Sequence, residues 1–464
     1  MRVYQAYRFA LDPTPAQKRK LASHAGAARF AYNFGLLLVR SRLAQKQRGE
    51  AVEVPWTLYA LRREWNRQKH EVAPWWRENS KEAANSGLED LARALKAFFD
   101  WRDGRRTGPR VGFPKPKRKG RSRDSFHYTT GAFGISGRTQ VKLPRIGHLR
   151  THHPTTELQE LIEAGKARIL RATVSREGDR WYCSFGCEVE REVGVPRHPE
   201  AVIGVDLGLA SLAVLSTGEV VDNPRALERV QRKLRRLQRK ADRQRRANNP
   251  DCYDTEGQAI RGSRPLGRSK RQMRTERQIG RLHARARHIR EDCLHKLTTR
   301  LAKGYGTVVC EHLNTKSLCR SAHRGLRRAL HDASLSRIRQ LLAYKCQWYG
   351  ATLVEAPTRF PSSKRCSRCG AVKATLPLGA RIYGCERCGL RIDRDLNAAC
   401  NLAALVHTTV AGSGPETINA RSLTRVSPGC AGRWVDRESG GPAGHKTGTV
   451  CGQPQTPDLA HSVV

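Results

Sequence analysis

Two cysteine pairs of the same form, Cys366-Ser367-Arg368-Cys369-Gly370 and Cys385-Glu386-Arg387-Cys388-Gly389, stand fifteen residues apart in the chain. A CxxC turn presents two sulfurs to one ion, four thiolates complete a tetrahedral zinc site, and a trailing glycine lets the turn curl closely. The spacing therefore predicts a ribbon over 362–389, folded around one structural Zn2+ held by Cys366, Cys369, Cys385 and Cys388. A thioredoxin-like redox reading of CxxC does not account for two copies at this separation. A site closed by four protein ligands keeps no open position, so any chemistry has to come from elsewhere in the chain. The fourteen cysteines are otherwise spread over a long sequence, a pattern of reduced thiols rather than of a disulfide framework.

Charge narrows the partner. Against 42 Asp and Glu stand 86 Lys and Arg, a net charge of +44, where solubility alone asks for a magnitude of roughly 2–8 in a small domain. A polyanion is the expected ligand, and nucleic acid is favoured over a membrane surface because basic residues occur in every segment and no amphipathic anchor helix stands out. No apolar run reaches the roughly 18 residues of a membrane span, and the opening MRVYQAYRFALDPTPAQ has no signal-peptide core. The expectation is a cytoplasmic protein without membrane contact, associated with the nucleoid when bound to DNA.

Along the chain, Arg2–Leu11 alternates as a half-buried strand does, and Thr14-Pro15-Ala16-Gln17 carries a helix start: Thr14 as cap, Pro15 at the first position, Gln17 closing a capping box. That helix is expected to bury Leu21, Phe30, Phe34, Leu37 and Leu38 along one broad face. Further helices are predicted at 58–68 and 81–101, and Trp56, Trp65, Trp75 and Trp76 of this region are available for base stacking or, more commonly, for core packing. Residues 108–123, GPRVGFPKPKRKGRSR, form an exposed basic loop or connector. Short strands follow to Val189, with a hairpin turn at Glu177-Gly178-Asp179, so a small β-barrel with inserted helices is expected. The stretch AVIGVDLGLASLAVLSTGEVV, 201–221, reads as a three-stranded meander of the kind that opens an RNase H-like sheet. Residues 225–246 and 270–300 then form two basic helices whose Leu227, Val230, Leu234 and Leu237 make an apolar stripe. Strand candidates lie at 306–310 and 351–355 with a helix over 334–349 between them, and a last helix is predicted from Asn397. The Gly/Pro/Ser/Thr-rich 411–464 is expected to be a disordered tail.

Three carboxylates stand out. Asp206 ends a strand in GVDLG, Glu311 follows the apolar Val308-Val309-Cys310, and Asp395 lies in Ile392-Asp393-Arg394-Asp395-Leu396-Asn397 before the last helix. Each alone reads as a turn residue, a strand-end charge or a helix cap. Brought to one end of one sheet, they can hold two hard divalent cations.

The combination of GVDLGL, VVCEHLN, the CSRCG and CERCG pair and DRDLNAACNLA resembles the TnpB proteins of insertion sequences, RNA-guided DNA nucleases similar to small type V CRISPR effectors; YRFALDPTPAQ and GFPKPK extend the likeness over about residues 1–405. The resemblance implies an α/β multidomain fold. A wedge-like β-barrel would span 1–14 and 108–195, with a helical recognition lobe, 15–107, inserted in it. A RuvC-like nuclease domain would span 196–361 and 390–410, with a basic helical hairpin at 223–302 and a zinc-ribbon target-nucleic-acid-binding element at 362–389. It also implies a catalytic triad of Asp206, Glu311 and Asp395 binding two Mg2+, with Asp393 as the alternative to Asp395. The implied partners are a guide RNA transcribed from the element and double-stranded target DNA with a short flanking motif. Phosphate contacts would fall to Lys115, Lys117, Arg118, Lys119 and Arg121 of the loop and Arg232, Lys233, Arg235, Arg236 and Arg239 of the first basic helix. A regulator that binds without cutting and a transposase acting on element ends are the competing activities.

Overall fold

Strand β1 (Arg2–Asp12) stops at Asp12-Pro13, and helix α1 (Pro15–Gln47) starts with the anticipated capping box: Gln17 N–H donates to Thr14 Oγ1 while the Gln17 side chain accepts from Thr14 N–H. This computed structural model describes residues 1–263, 267–377 and 379–410, with side chains as far as Val406; the tail expected over 411–464 lies outside the described residues. The chain divides between Glu190 and Arg191 into two compact units. No helix among the described residues is long and apolar enough to cross a membrane.

In residues 2–190, α1 packs with α2 (Leu58–Val72) and α3 (Lys81–Arg102) around Tyr32, Leu36, Val39, Leu61, Trp65, Leu88, Leu91 and Leu95. The buried stripe of α1 differs from the expected one. It runs through Leu21, Ala28, Ala31, Tyr32, Leu36 and Val39 and leaves Leu37 69% exposed. Small residues let the helices approach: a Cβ on Gly87 of α3 would stand 1.9 Å from the Ala28 carbonyl oxygen. The tryptophans serve this packing. Trp65 lies edge-on to Phe30 and Phe34, Trp75 to Phe30 and Trp56 to Phe99, while Trp76 meets His70.

The strands β2 (Ser125–Tyr128), β3 (Gly134–Gly137), β4 (Gln140–Leu143) and β5 (Gly147–Thr151) come next, followed by the short helix α4 (Thr156–Glu163) and the long hairpin of β6 (Ala167–Glu177) and β7 (Arg180–Glu190). With β1 they form an antiparallel sheet in the order β2-β6-β7-β1-β5-β4-β3. β1 changes partner along its length, pairing with β7 as far as Ala10 and with β5 at Leu11 and Asp12. In that order β2 and β3 are the two ends and are not hydrogen-bonded to each other, and α3 packs against β2. Glu89 of α3 binds His127 (2.8 Å) and Arg171 (2.7 Å), and Glu82 accepts from the Thr129 hydroxyl at 2.7 Å.

In the second unit, β8 (His198–Leu207), β9 (Ser211–Leu215) and β10 (Val220–Asp222) form the meander, and α5 (Ala226–Asn248) and α6 (Lys270–Gly304) form the hairpin. Then follow β11 (Tyr305–Cys310), two short helices that the sequence pattern does not announce, α7 (Thr315–Ser321) and α8 (Arg324–Ala333), and α9 (Leu335–Trp348). After β12 (Thr352–Glu355) come the two-stranded β13 (Ile382–Gly384) and β14 (Arg391–Asp393), and α10 (Arg394–Val410) begins three residues before the predicted Asn397. The sheet order is β10-β9-β8-β11-β12, antiparallel on the meander side and parallel across β8, β11 and β12.

Alternation along β11 separates the two faces. Val308 and Cys310 pack with Leu294, Leu297 and Leu301 of α6 and Ile338, Leu341 and Leu342 of α9. Val309 packs with Leu402 and Leu405 of α10. In the hairpin, Val230 and Leu227 of α5 meet Ala286 and Ile289 of α6. The first turn of α5 has no side-chain cap of its own, since Arg225 takes a left-handed conformation (φ 43°). Asp332 of α8 supplies one, accepting from Leu227 N–H at 2.9 Å and from Arg290 of α6 at 2.9 Å.

Where α10 crosses β8 the backbones touch: a Cβ on Gly204 would sit 1.9 Å from the Ala399 carbonyl oxygen and 2.7 Å from Ala403 N. Gly204→Ala is expected to destabilise this unit by about 1–3 kcal/mol, the usual range for overpacking a core. A denaturation midpoint equal to that of the wild type would contradict the close approach.

Candidate active site and zinc site

β8 and β11 run parallel with Val205 beside Cys310, so Asp206 and Glu311 leave the same end of adjacent strands. α10 lies over β8 with Asp395 in its first turn, and the three carboxylates expected from the sequence bear on one another. Burial, then the charges of Glu311 and Asp395, push the Asp206 carboxyl up to about 8, against the opposing pull of Arg394. The oxygens are held individually. Glu311 Oε1 accepts from the Ser362 hydroxyl, and Asp395 Oδ1 accepts from Arg394 Nε (2.9 Å) and Nη2 (2.8 Å), with Arg381 at 3.9 Å from Oδ2.

Asp393 is placed differently from Asp395. Its Oδ1 accepts from the backbone N–H of Asp395 (2.9 Å) and Leu396 (3.0 Å), the bonding of a helix N-cap, and the residue is exposed.

The four cysteines converge fully. Their sulfurs all lie within 4.8 Å of one another, the one such gathering of metal-ligating atoms among the described residues. Cys366 Sγ stands 3.5 Å from Cys388 Sγ, and Cys369 Sγ 3.5 Å from Cys385 Sγ. Burial works against a Cys366 thiolate, but the backbone N–H groups of Cys369 and Arg368 and the neighbouring sulfurs bring its thiol down to about 6. The glycines act as the spacing requires: Gly370 (φ 75°) and Gly389 (φ 71°) are left-handed, and their N–H groups close the turns onto Cys366 and Cys385 carbonyls. Tyr383, fully buried, fills the space beneath.

Of the basic residues, Lys115, Arg118, Lys119 and Arg121 are exposed on the loop, and Arg232, Lys233, Arg235, Arg236 and Arg239 are exposed on α5 opposite buried Val230, Leu234 and Leu237. Lys117 departs from the set: its ammonium pairs with Asp90 at 2.8 Å over the Tyr32 ring, and its backbone binds Asn33. An internal carboxylate, not visible from a run of basic residues, holds it in place.

Sequence reasoning passed over two neighbours of the triad. Ser362 is one. The other is a cluster beside Glu311, in which buried Glu355 at the end of β12 lies 2.5 Å from His312 Nδ1 and 3.3 Å from Arg339. The parallel register that sets Cys310 against Glu355 is the structural reason for it, and no local motif signals such a pairing.

With this geometry in view, the comparisons place the chain. The family model described as "Probable transposase" matches residues 184–322, which include Asp206 and Glu311, and one described as "Cas12f1-like, TNB domain" matches 336–402, spanning the cysteines and Asp395. A Mycobacterium tuberculosis protein named "Putative RNA-guided DNA endonuclease Rv2885c" is 35% identical over 95% of this chain and 95% of the relative. The chain belongs to the TnpB family. A Streptomyces pristinaespiralis relative named "Putative RNA-guided DNA endonuclease" is 33% identical over 89% of this chain and 92% of its own length. Among solved structures, a Cas12f1-sgRNA-target DNA complex aligns with 84% of this chain and 82% of its own at 15% identity and a TM-score of 0.43. A third family model, described as "Helix-turn-helix domain", matches residues 1–48 of this TnpB chain, which fold here as one strand and one continuous helix.

Metal analysis of purified TnpB protein is expected to give about one zinc per chain, as a site of four cysteines holds one ion; Cys366→Ser or Cys388→Ser should lose it and unfold the ribbon. Well-folded protein without zinc would reject the site. The Asp206 carboxyl generates a pH dependence of definite sign. Raised to about 8 in the folded chain against roughly 3.9 when unfolded, it costs nothing below the lower value and destabilises increasingly until pH passes the upper one. In Mg2+-free buffer, Asp206→Asn should therefore melt above the wild type by a margin that widens from about pH 5 to 8. A constant margin would count against the charge cluster.

Proposed function

We propose that the chain is an RNA-guided, Mg2+-dependent DNA endonuclease encoded by a mobile element, and that the cluster of Asp206, Glu311 and Asp395 cuts the phosphodiester bond. The carrying observation is the convergence of three carboxylates at the end of β8 and β11, where burial and then the charges of Glu311 and Asp395, only partly offset by Arg394, raise Asp206 to about 8. A site that repels its own ionisation is built for added positive charge.

The donor set fits hard divalent cations, since it consists of carboxylate oxygens on three separate elements, two of them rigid strand ends. Asp206, Glu311 and Asp395 would hold the ions. When bound, a pair of Mg2+ activates a water for in-line attack and offsets charge on the leaving oxygen. The chain's own part is positional. Asp206 and Glu311 sit side by side because their strands are in parallel register, and α10 carries Asp395 to them. Asp393 acts as the cap that starts this helix, and Arg394 screens Asp395 until the site is filled.

Nothing in such a carboxylate set reads sequence, so targeting falls to a guide RNA paired with the target strand, with the protein reading a short flanking DNA motif and duplex shape. The exposed Arg232, Lys233, Arg235, Arg236 and Arg239 row of α5 and the Lys115–Arg121 loop suit phosphate contact that is blind to sequence. The domain assignments set out from the resemblance belong to the same reading: a wedge and recognition lobe in residues 1–195, a RuvC-like nuclease and zinc ribbon in residues 196–410.

The test is to express the protein with its flanking genomic DNA, sequence the co-purifying RNA, and incubate the complex with Mg2+ and plasmids carrying the matched target beside randomised flanks. Cleavage is expected to need Mg2+, the RNA match and Asp206, and to be lost in Glu311→Ala and Asp395→Ala. Asp393→Ala should still cut while losing about 0.5–2 kcal/mol of stability, the value of an N-cap. Strand-transfer products joined to an element end, or target binding without cleavage by the wild type, would overturn the assignment.

A further inference from the structure

Ser362 stands where the zinc ribbon leaves the nuclease sheet. Its hydroxyl, on a residue only 2% exposed, donates to Glu311 Oε1. Its carbonyl oxygen accepts from Asn401 Nδ2 at 2.7 Å, and the same amide reaches the Arg365 carbonyl oxygen at 2.7 Å. One turn earlier on α10, Asn397 donates to the Arg365 carbonyl at 2.7 Å and accepts from Ser367 N–H at 3.0 Å. Both asparagines are buried, at 0% and 4% exposure, and their i, i+4 spacing puts them on one face of the helix. They grip the two residues that flank Cys366. Arg365 N–H also returns to the Pro361 carbonyl at 2.9 Å, which makes 361–365 a closed turn, and Cys366 N–H binds the Ala371 carbonyl at 2.8 Å inside the first cysteine turn.

We propose that Ser362 is a positioning residue for the Glu311 carboxylate, and that the zinc ribbon, clamped to α10 by Asn397 and Asn401, sets where Ser362 stands. The hydroxyl fixes one oxygen of Glu311 and leaves the other for the metals. The ribbon thereby orients a carboxylate about fifty residues away in sequence, in addition to any contact it makes with nucleic acid. Two buried amides in the interior of α10, each bonded only toward one segment, have no other evident use: an apolar pair would pack as well, and burying an amide is favourable only when it is bonded. The inference rests on the nuclease reading for its effect on cutting, but the orientation of Glu311 can be measured without cutting.

The experiment uses the full chain with its co-purified RNA and compares wild type, Ser362→Ala, Ser362→Thr and Asn401→Ala for four quantities: zinc per chain, affinity for target DNA, Mn2+ affinity by titration, and single-turnover cleavage. Loss of a partner that orients a metal-bound carboxylate costs about 10–100-fold in metal affinity or rate. Ser362→Ala should show a loss of that size in Mn2+ affinity and cleavage, with zinc content and DNA affinity unchanged, and Ser362→Thr should recover most of both. Asn401→Ala should lose cleavage in the same way while it keeps zinc. If Ser362→Ala binds Mn2+ and cuts as the wild type does, the proposal is wrong. If Ser362→Ala loses zinc or DNA affinity in step with cleavage and Ser362→Thr fails to restore it, Ser362 is structural and the proposal is again wrong. If the wild type cuts nothing, the nuclease reading fails, and the Mn2+ titration alone decides whether Ser362 orients Glu311.

Discussion

The structure around the carboxylates depends on a contact with no side chain in it. At Gly204 the backbone of β8 lies directly against the backbone of α10 at Ala399. A helix normally stands off a sheet by the thickness of its side chains. Here that spacing collapses at one point, two residues before Asp206 and four after Asp395. The register of β8 with β11 places Glu311, and the Gly204 contact places Asp395. The site is therefore assembled from three pieces of chain remote in sequence, each carried on backbone that has little freedom to shift.

The same assembly is unfavourable by itself. Desolvation and like charge act together on Asp206, and the arginine beside Asp395 offsets only part of the repulsion. Folding energy is spent on concentrating negative charge, a common mark of catalytic sites. The bulk of the support comes from the apolar layers on both faces of the sheet, where Val308 and Cys310 face α6 and α9 and Val309 faces α10. The zinc ribbon fits this pattern. Its apolar cluster around buried Tyr383 is small, so one ion on the four sulfurs would do there what hydrophobic burial does elsewhere.

What was legible in the sequence had a fixed local spacing. The cysteine pairs, the capping box at Thr14 and Gln17, the meander before Asp222 and the apolar stripe of α5 all follow from periods or turns that a few residues determine. The convergence of Asp206 and Glu311 was legible because each follows an apolar strand run, where a carboxylate has no packing role. The rest depended on tertiary neighbours. Leu37 belongs by composition to a helix core, but the buried stripe of α1 runs through Ala28, where α3 comes closest at Gly87, and on through Ala31, Tyr32, Leu36 and Val39, which leaves Leu37 outside it. Lys117 looks like its neighbours until Asp90, on another element, claims it. The way β1 joins β7 to β5 while α3 packs against β2 was not legible, since strand patterns contain no information about which edge a helix will cover. Ser362 and the two asparagines of α10 carry no signal of their own, since their meaning lies in whom they bind.

The capping of α5 by Asp332 anchors the basic hairpin at its root. α5 has 23 residues, which at about 1.5 Å each gives an arm of roughly 35 Å. Besides the apolar stripe it packs on α6, it is tied at its first turn, where Asp332 joins Leu227 and Arg290. Lengthening or shortening the arm by whole turns at its far end would leave that joint and the sheet beneath it unaltered. On the proposed reading, an insertion or deletion there would change the reach along a bound nucleic acid without disturbing the carboxylates.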